Sequence, residues 1–402
     1  MRSIELFTGA GGLALGTHLA GFHHQALVER EGNACATLER NIRDASLAGT
    51  AAWRGKVHKG DVRRVDFSQW GPVDLVAGGP PCQPFSIGGK HKGMHDDRDM
   101  IPEFIRALRA LRPRAFILEN VKGLLRQSFA AYFEYCLLRL RYPDAVRVEN
   151  EPWEQHLARL EETAHRADPT GLAYRVDFKL LNAADYGVPQ TRERVFLVGF
   201  RADTAIAWQF PTPTHSKEAL LADQWVTGDY WKRHHIAAPP MPPTRYRKKI
   251  SGLAERPEAV RGLMPWVTVR DALTGLPDPR EEHGGFANHR HQPGARTYVG
   301  HTGSPIDWPS KTLKAGVHGV PGGENMIAFH DGSVRYFSVR EAARMQTFPD
   351  AWVFEGAWSE TMRQLGNAVP VQLAQTVAAS VRQHLQPESS KKETQHERTI
   401  FI

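Results

Sequence analysis

Residues 4–12 read Ile4-Glu5-Leu6-Phe7-Thr8-Gly9-Ala10-Gly11-Gly12, a short apolar run that ends on a turn of glycines. The run has the length of a strand, and the turn opens onto Leu13 to His23, which carries a helical pattern. Glycine lets the backbone turn sharply and lets a ligand approach it, and the helix start adds a positive dipole end. Strand, glycine turn and helix in that order begin a nucleoside-binding sheet. Gln25 to Glu29 reads as the second strand, and Glu29 closes it with a carboxylate able to accept from ribose hydroxyls. Asp61, after a third segment, is placed to receive an adenine amino group. A dehydrogenase would use a similar glycine loop, so the turn fixes a nucleoside site before it fixes the cofactor.

Further along, Val73 to Ala77 and Ala115 to Leu118 are short apolar runs of the kind buried in a parallel sheet. Pro102 to Leu111 supplies a helix between them, with proline in its first turn. Repeated strand–helix units predict an α/β fold with a doubly wound, Rossmann-like sheet. Trp153, Leu157, Leu160 and Ala164 recur at helical spacing inside the polar stretch 142–170. Tyr174 to Leu181 and Arg194 to Phe200 read as two more strands, flanking a loop from Asn182 to Glu193. After residue 201 periodicity fades and Pro, His, Trp and Arg become frequent, which predicts a second, smaller, loop-rich domain. It contains a rigid connector, Pro239 to Pro243, and the densest basic cluster in the body of the chain, Arg245 to Lys249. Helices are expected from Val339 and from Val371, and the polar tail 387–402 is expected to be disordered. The domains expected are 1–201, then 202–356, then a C-terminal helical segment, 357–386, returning to the first.

A chain of 402 residues is too long for one ordinary core. Its net charge of +7 and pI of about 9.3 favour polyanionic partners. The three cysteines, Cys35, Cys82 and Cys136, are far apart, so neither a disulfide framework nor a cysteine-rich zinc site is implied. No metal-ligand cluster is seen. No basic-then-apolar segment opens the sequence and no apolar run approaches the ~20 residues that span a membrane, so a soluble cytoplasmic protein is expected. His234, His235, His289 and His291 are read as surface or phosphate-facing groups.

Gly78-Gly79-Pro80-Pro81-Cys82-Gln83-Pro84-Phe85-Ser86 follows the strand at Val73 to Ala77 directly. Ligands of parallel sheets bind at the carboxyl ends of strands, so Cys82 stands where chemistry is expected. The prolines hold the sulfur in one orientation, and a thiolate is a competent nucleophile. A buried packing cysteine is the plainer reading of a lone Cys, but a Pro-Pro-Cys turn suits it poorly. Glu119-Asn120-Val121-Lys122 ends the strand at Ala115 and brings a carboxylate to the same edge. Alone it would read as a capping or ion-paired Glu; beside a nucleophile it reads as an acid for a ring nitrogen.

Six blocks now stand in order: Phe7 to Gly12, Pro80 to Ser86, Glu119 to Leu124, Gln190-Thr191-Arg192-Glu193-Arg194, Arg340 to Pro349, and Gly366-Asn367-Ala368-Val369-Pro370. Together they resemble the DNA (cytosine-5-)-methyltransferase family of the bacterial restriction-modification type, from about residue 2 to residue 383. The resemblance implies S-adenosylmethionine as cofactor and duplex DNA as substrate. It implies Cys82 as the nucleophile on cytosine C6, Glu119 as the acid at N3 and the exocyclic amine, and Arg192 and Arg194 as arginines that bind the flipped base, Arg194 at its carbonyl. It assigns Phe7, Gly9, Gly11, Gly12, Glu29, Asp61, Val62, Pro81, Ile101 and Asn367 to the cofactor. Ser86, Gly88 and Lys90 belong to a segment, Ser86 to Ile101, that resembles the loop closing over DNA. Residues 202–335 fall where the family places its target recognition region, with Arg245, Arg247, Lys248 and Lys249 as phosphate contacts. A monomer is expected, with a separate endonuclease of the same specificity as the implied companion. Met100, Ala368 and the stretch 142–170 depart from the common family pattern. The alternatives are an RNA cytosine methyltransferase, a dinucleotide enzyme, which leaves the cysteine, glutamate and arginine blocks unexplained, and a catalytically silent DNA-binding protein.

Overall fold

The computed structural model describes residues 1–43, 55–81, 99–166, 171–281, 284–315 and 325–386. Cys82, Ser86, Gly88, Lys90 and the tail 387–402 lie outside the described residues. The chain divides into two compact units, each assembled from separate stretches. The first takes Met1–Leu181, Glu193–Pro211 and the chain from Ala374 on; the second takes Asn182–Arg192 and Thr212–Leu373.

The first unit is built on one seven-stranded sheet. Its strands are β1 (Arg2–Leu6), β2 (His23–Glu29), β3 (Lys56–Lys59), β4 (Leu75–Gly78), β5 (Ala115–Val121), β6 (Tyr174–Asn182) and β7 (Glu193–Arg201). They lie in the order β3-β2-β1-β4-β5-β7-β6. The helices of this unit are α1 (Gly12–Leu19), α2 (Gly32–Arg43), α3 (Ile101–Leu111), α4 (Ala130–Arg141) and α5 (Trp153–His165). β1 pairs in parallel with β2 and β4, and further parallel pairs join β2 to β3 and β4 to β5. The strand order therefore reverses between β1 and β4, the switch point at which such sheets bind ligands. β1, β4 and β5 are buried almost end to end, as strands covered on both faces must be.

Two features differ from the sequence reading. α1 stops at Leu19 rather than reaching His23, because Gly21, at φ 93, turns the chain into β2. β7 runs antiparallel to β5, from Ala115↔Phe200 to Val121↔Arg194. The polar stretch 142–170 does carry the expected amphipathic helix, α5, packed on α4 through Tyr135, Leu138 and Leu160. There the buried His156 bonds the Tyr135 hydroxyl through Nδ1 and the Ala145 carbonyl through Nε2, both at 2.8 Å.

The second unit has short strands and many loops. Its strands are β8 (His215–Ser216), β9 (Met264–Pro265), β10 (Ser304–Pro305), β11 (Met326–Ala328) and β12 (Val334–Tyr336). Its helices are α6 (Lys217–Trp225), α7 (Asp229–Arg233), α8 (Arg247–Glu255), α9 (Val269–Leu273), α10 (Val339–Met345) and α11 (Trp358–Asn367). α12 (Val371–Leu385) begins in this unit and carries the chain back into the first. Capping boxes start α9 at Thr268 and α10 at Ser338, where hydroxyl and carboxylate satisfy end N–H groups reciprocally. Among the described residues no helix is long and apolar enough to cross a membrane.

Candidate active site

The glycine turn leaves β1 through a strained residue. Phe7 has φ 57, a left-handed conformation that costs a non-glycine residue energy and recurs at functional sites. Gly9 and Gly11 follow at φ 56 and 92. A Cβ built on Gly9 would meet nothing within 4 Å, so the turn is open on that side. Glu29 holds the turn in place: Oε2 accepts from Gly9 N at 2.7 Å, and Oε1 accepts from Arg30 N and Glu31 N at 2.8 Å each. A carboxylate has about four acceptor positions, so roughly one is left for a ligand hydroxyl. Gly11 puts no side-chain cap on α1. Instead Glu5, buried in β1, takes the Ala14 N–H, and burial holds its carboxyl well above the usual carboxylate range.

Asp61 ends the segment after β3, and Arg63 engages it through backbone and side chain at 3.0 Å. Those bonds hold its carboxyl far below the ordinary carboxylate value. An adenine amine would share this carboxylate with Arg63. The adjoining Val62 is buried, and its carbonyl accepts from Arg106 of α3 at 2.7 Å. Arg106 also bonds Val65 O and Glu103, and lies over the Phe67 ring at 4.5 Å. It ties the Asp61 turn to α3, whose first residue is the buried Ile101. Sequence reading missed Arg106; the Glu103–Arg106 spacing on one helix face was its only trace.

At the ends of β4 and β5 two chain segments touch. Gly79 lies so close that a Cβ there would stand 3.0 Å from Glu119 Oε2. Asn120 Nδ2 donates to Pro80 O at 3.4 Å. Pro81, which is exposed, is the last described residue before Cys82. Glu119 is only 7% exposed, and Arg194 of β7 faces it, Nε to Oε1 at 2.9 Å. This is a charge-assisted pair joining the neighbouring strands β5 and β7.

In the second unit Arg192 is fully buried. Nη1 donates to Leu313 O at 2.9 Å, and Nη2 donates to Gly366 O and Ala368 O at 2.7 and 2.9 Å. Gln346 Nε2 reaches Leu365 O at 2.6 Å, and Gln190 Nε2 reaches Met345 O at 3.2 Å. Gly366 is needed there because a Cβ would stand 2.2 Å from Ala315 N. The blocks around 190, 313, 346 and 366 are thus knotted about one guanidinium, leaving Asn367 exposed at the end of α11.

The model of the C-5 cytosine-specific DNA methylase family matches residues 1–142 and 155–383. The chain belongs to this family. The break at 143–154 falls within the stretch that sequence reading had marked as a departure. Among relatives, Type II methyltransferase M.NgoMIV of Neisseria gonorrhoeae is 31% identical over 96% of this chain and 99% of its own. Type II methyltransferase M.Eco47II of Escherichia coli is 34% identical, over 94% of this chain and 78% of its own. A DNA modification methyltransferase encoded in an Escherichia coli prophage shares the fold at TM-score 0.56 and 21% identity, covering 96% of this chain and 99% of that one. Dnmt2 of S. pombe shares it at TM-score 0.54 and 14% identity, covering 96% and 100%.

In this cytosine methylase the basic cluster is partly spent on internal contacts. Lys249 pairs with Glu218 at 2.5 Å, Arg245 lies over the Tyr246 ring at 4.7 Å, and Arg247 donates to Pro242 O at 3.4 Å. Lys248 is exposed in the first turn of α8. One histidine reading is corrected: His289 is buried, with Nδ1 on Ser338 Oγ and Nε2 on Pro277 O, both at 2.8 Å. His234 pairs with Asp271 at 2.8 Å, while His235 and His291 are exposed.

Proposed function

We propose that this DNA cytosine-C5 methyltransferase takes a cytosine flipped out of duplex DNA and methylates it through Cys82, with S-adenosylmethionine as donor. The observation that carries the reading is the Glu119–Arg194 pair against the Gly79–Pro80 backbone, two residues before Cys82 along the chain. Phe7, Gly9, Gly11, Gly12, Glu29, Asp61, Val62, Pro81, Ile101 and Asn367 would hold the cofactor. The open glycine turn and the remaining acceptor on Glu29 fit a ribose. When bound, S-adenosylmethionine supplies a methyl group made electrophilic by its sulfonium sulfur.

Ring carbon 5 of cytosine is a weak nucleophile. The Cys82 thiolate adds to C6, and the displaced π pair makes C5 electron-rich. Glu119 holds N3 and the 4-amino group, and Arg194 holds the ring carbonyl, so charge building on the ring meets fixed partners. C5 would take the methyl group, the old S–C bonding pair staying with the donor sulfur; solvent water then takes the C5 proton, the C5–H pair re-forms the C5–C6 double bond, and the Cys82 thiolate leaves with the C6–S pair. Arg192 fixes the end of α11, which carries Asn367.

Residues 202–335 serve as the target recognition region, and the enzyme protects host DNA against a companion endonuclease, as a soluble cytoplasmic monomer. The test is Cys82→Ala: methyl transfer to DNA should vanish while S-adenosylmethionine binding stays within about twofold, since the sulfur lies outside the donor-binding set. Retained transfer refutes the nucleophile. Bisulfite sequencing of DNA from cells expressing the wild type gives base and site together; unmethylated DNA with methylated transfer RNA would favour the RNA reading.

A further inference from the structure

Between Gly284 and Ile306 the chain carries Arg290, Arg296 and histidines 289, 291 and 301, and no Asp or Glu, although 44 acidic residues occur in the whole sequence. Within this stretch one turn projects into solvent. Tyr298 N donates to His301 O at 3.3 Å and His301 N donates to Tyr298 O at 2.8 Å, which pins Val299 and Gly300 as a two-residue turn. Gly300, at φ 82, supplies its left-handed position. The Tyr298 and His301 rings lie 4.2 Å apart at 31°. Val299 is 101% exposed and Tyr298 52%. A valine held wholly in water gains nothing from burial, and a paired ring beside it keeps the tip in one shape. Just beyond the turn, Ser304 and Pro305 pair with Ile327 and Ala328, which anchors its base.

We propose that the Tyr298–His301 turn is a base-reading tip that enters a groove of duplex DNA, with Arg290 and Arg296 set for its phosphates. This rests on residues 202–335 being the recognition region, and it narrows that reading to one turn. The acid-free, arginine-bearing stretch complements a polyanion. The tip offers what base edges need: methyl groups to meet a thymine methyl, and a phenol and an imidazole to donate or accept. Phosphate contacts hold register without reading sequence, so the two roles are separable.

The experiment uses the full chain with Tyr298→Ala, Val299→Ala and the double variant. These side chains are exposed, so thermal melts should match wild type. The methylated site is first defined by bisulfite sequencing with the wild type. Binding is then measured, at one salt concentration, to a duplex bearing that site and to the same duplex with one base pair changed. The double variant should lose about tenfold or more of its discrimination, with affinity for the altered duplex kept within about twofold. Arg296→Ala should weaken both duplexes alike and lower the salt slope by about one. Unchanged discrimination in the double variant overturns the proposal, and so does a changed oligomeric state with unchanged discrimination, which would mark a protein contact. Exchanging all of 202–335 for a relative's segment separates the failures. An unchanged methylated site there removes the recognition reading itself, whereas a changed site with unchanged discrimination in the double variant removes the tip alone.

Discussion

Arg192 and Arg194 stand two positions apart and do different work. Arg194 belongs to β7 and meets a carboxylate at the site edge; Arg192 precedes that strand and is sealed among backbone carbonyls. Arg194→Ala should leave the fold intact and lower methyl transfer by about a hundredfold or more, because a charged partner of the ring is lost. Arg192→Ala should lower stability by about 3 kcal/mol or more, since several buried carbonyls lose their donor. Thermal melts beside single-turnover rates separate the two; a cold melt for Arg194→Ala with a normal one for Arg192→Ala would reverse the assignment. Gly79→Ala tests the contact with Glu119 from the other side. Its Cβ would press on a carboxylate rather than on backbone, so it should slow transfer by about tenfold or more while melting near wild type. An unchanged rate would mean that the carboxylate's position is immaterial.

Among the elements, α1 is locked to β1 and β2 by a buried histidine. His24 bonds Ser3 Oγ through Nδ1 at 3.0 Å, and Thr17 Oγ1 and Ala14 O through Nε2 at 3.0 and 2.9 Å. Burial, aided by His18 and His23, lowers its pKa to about 4. The unfolded chain keeps the ordinary value near 6.5 and so binds more protons between the two. Stability from this group is full above about pH 6.5 and falls as pH drops toward 4, by up to about 3 kcal/mol. Denaturant midpoints at several pH values should show that slope, and His24→Gln should flatten it; an equal slope in both would clear His24. β1, β4 and β5 were readable because each holds a short apolar run followed by a turn, and Glu29 because it closes β2; β3, Lys-Val-His-Lys, carries no such run and was not readable as a strand. The placement of Arg192 was not readable. It falls in the loop before β7, where no periodicity marks a side chain as buried. His289 was misread because the loop around it has no periodicity from which burial could be inferred. The reversed direction of β7 was hidden too, since an apolar run carries no mark of parallel or antiparallel pairing.

Over the whole molecule, the proposed contacts to the target ring come from Cys82, Glu119 and Arg194, and the proposed reading of DNA lies in residues 202–335. Exchange of 202–335 for the equivalent segment of a relative should therefore move methylation to the relative's site while Cys82 remains indispensable. Bisulfite maps before and after the exchange check this; an unmoved site would place specificity elsewhere. The central claim, a covalent bond from Cys82 to the target base, can be caught directly with a substrate duplex carrying 5-fluorocytosine at the methylated position. Fluorine cannot leave as the proton does, so the sulfur–carbon bond should persist through denaturation once the methyl group has been transferred. The account predicts a denaturant-resistant protein–DNA adduct, dependent on S-adenosylmethionine, that maps to Cys82 by peptide mass spectrometry and is absent in Cys82→Ala. No adduct, or one attached through another residue, would contradict it.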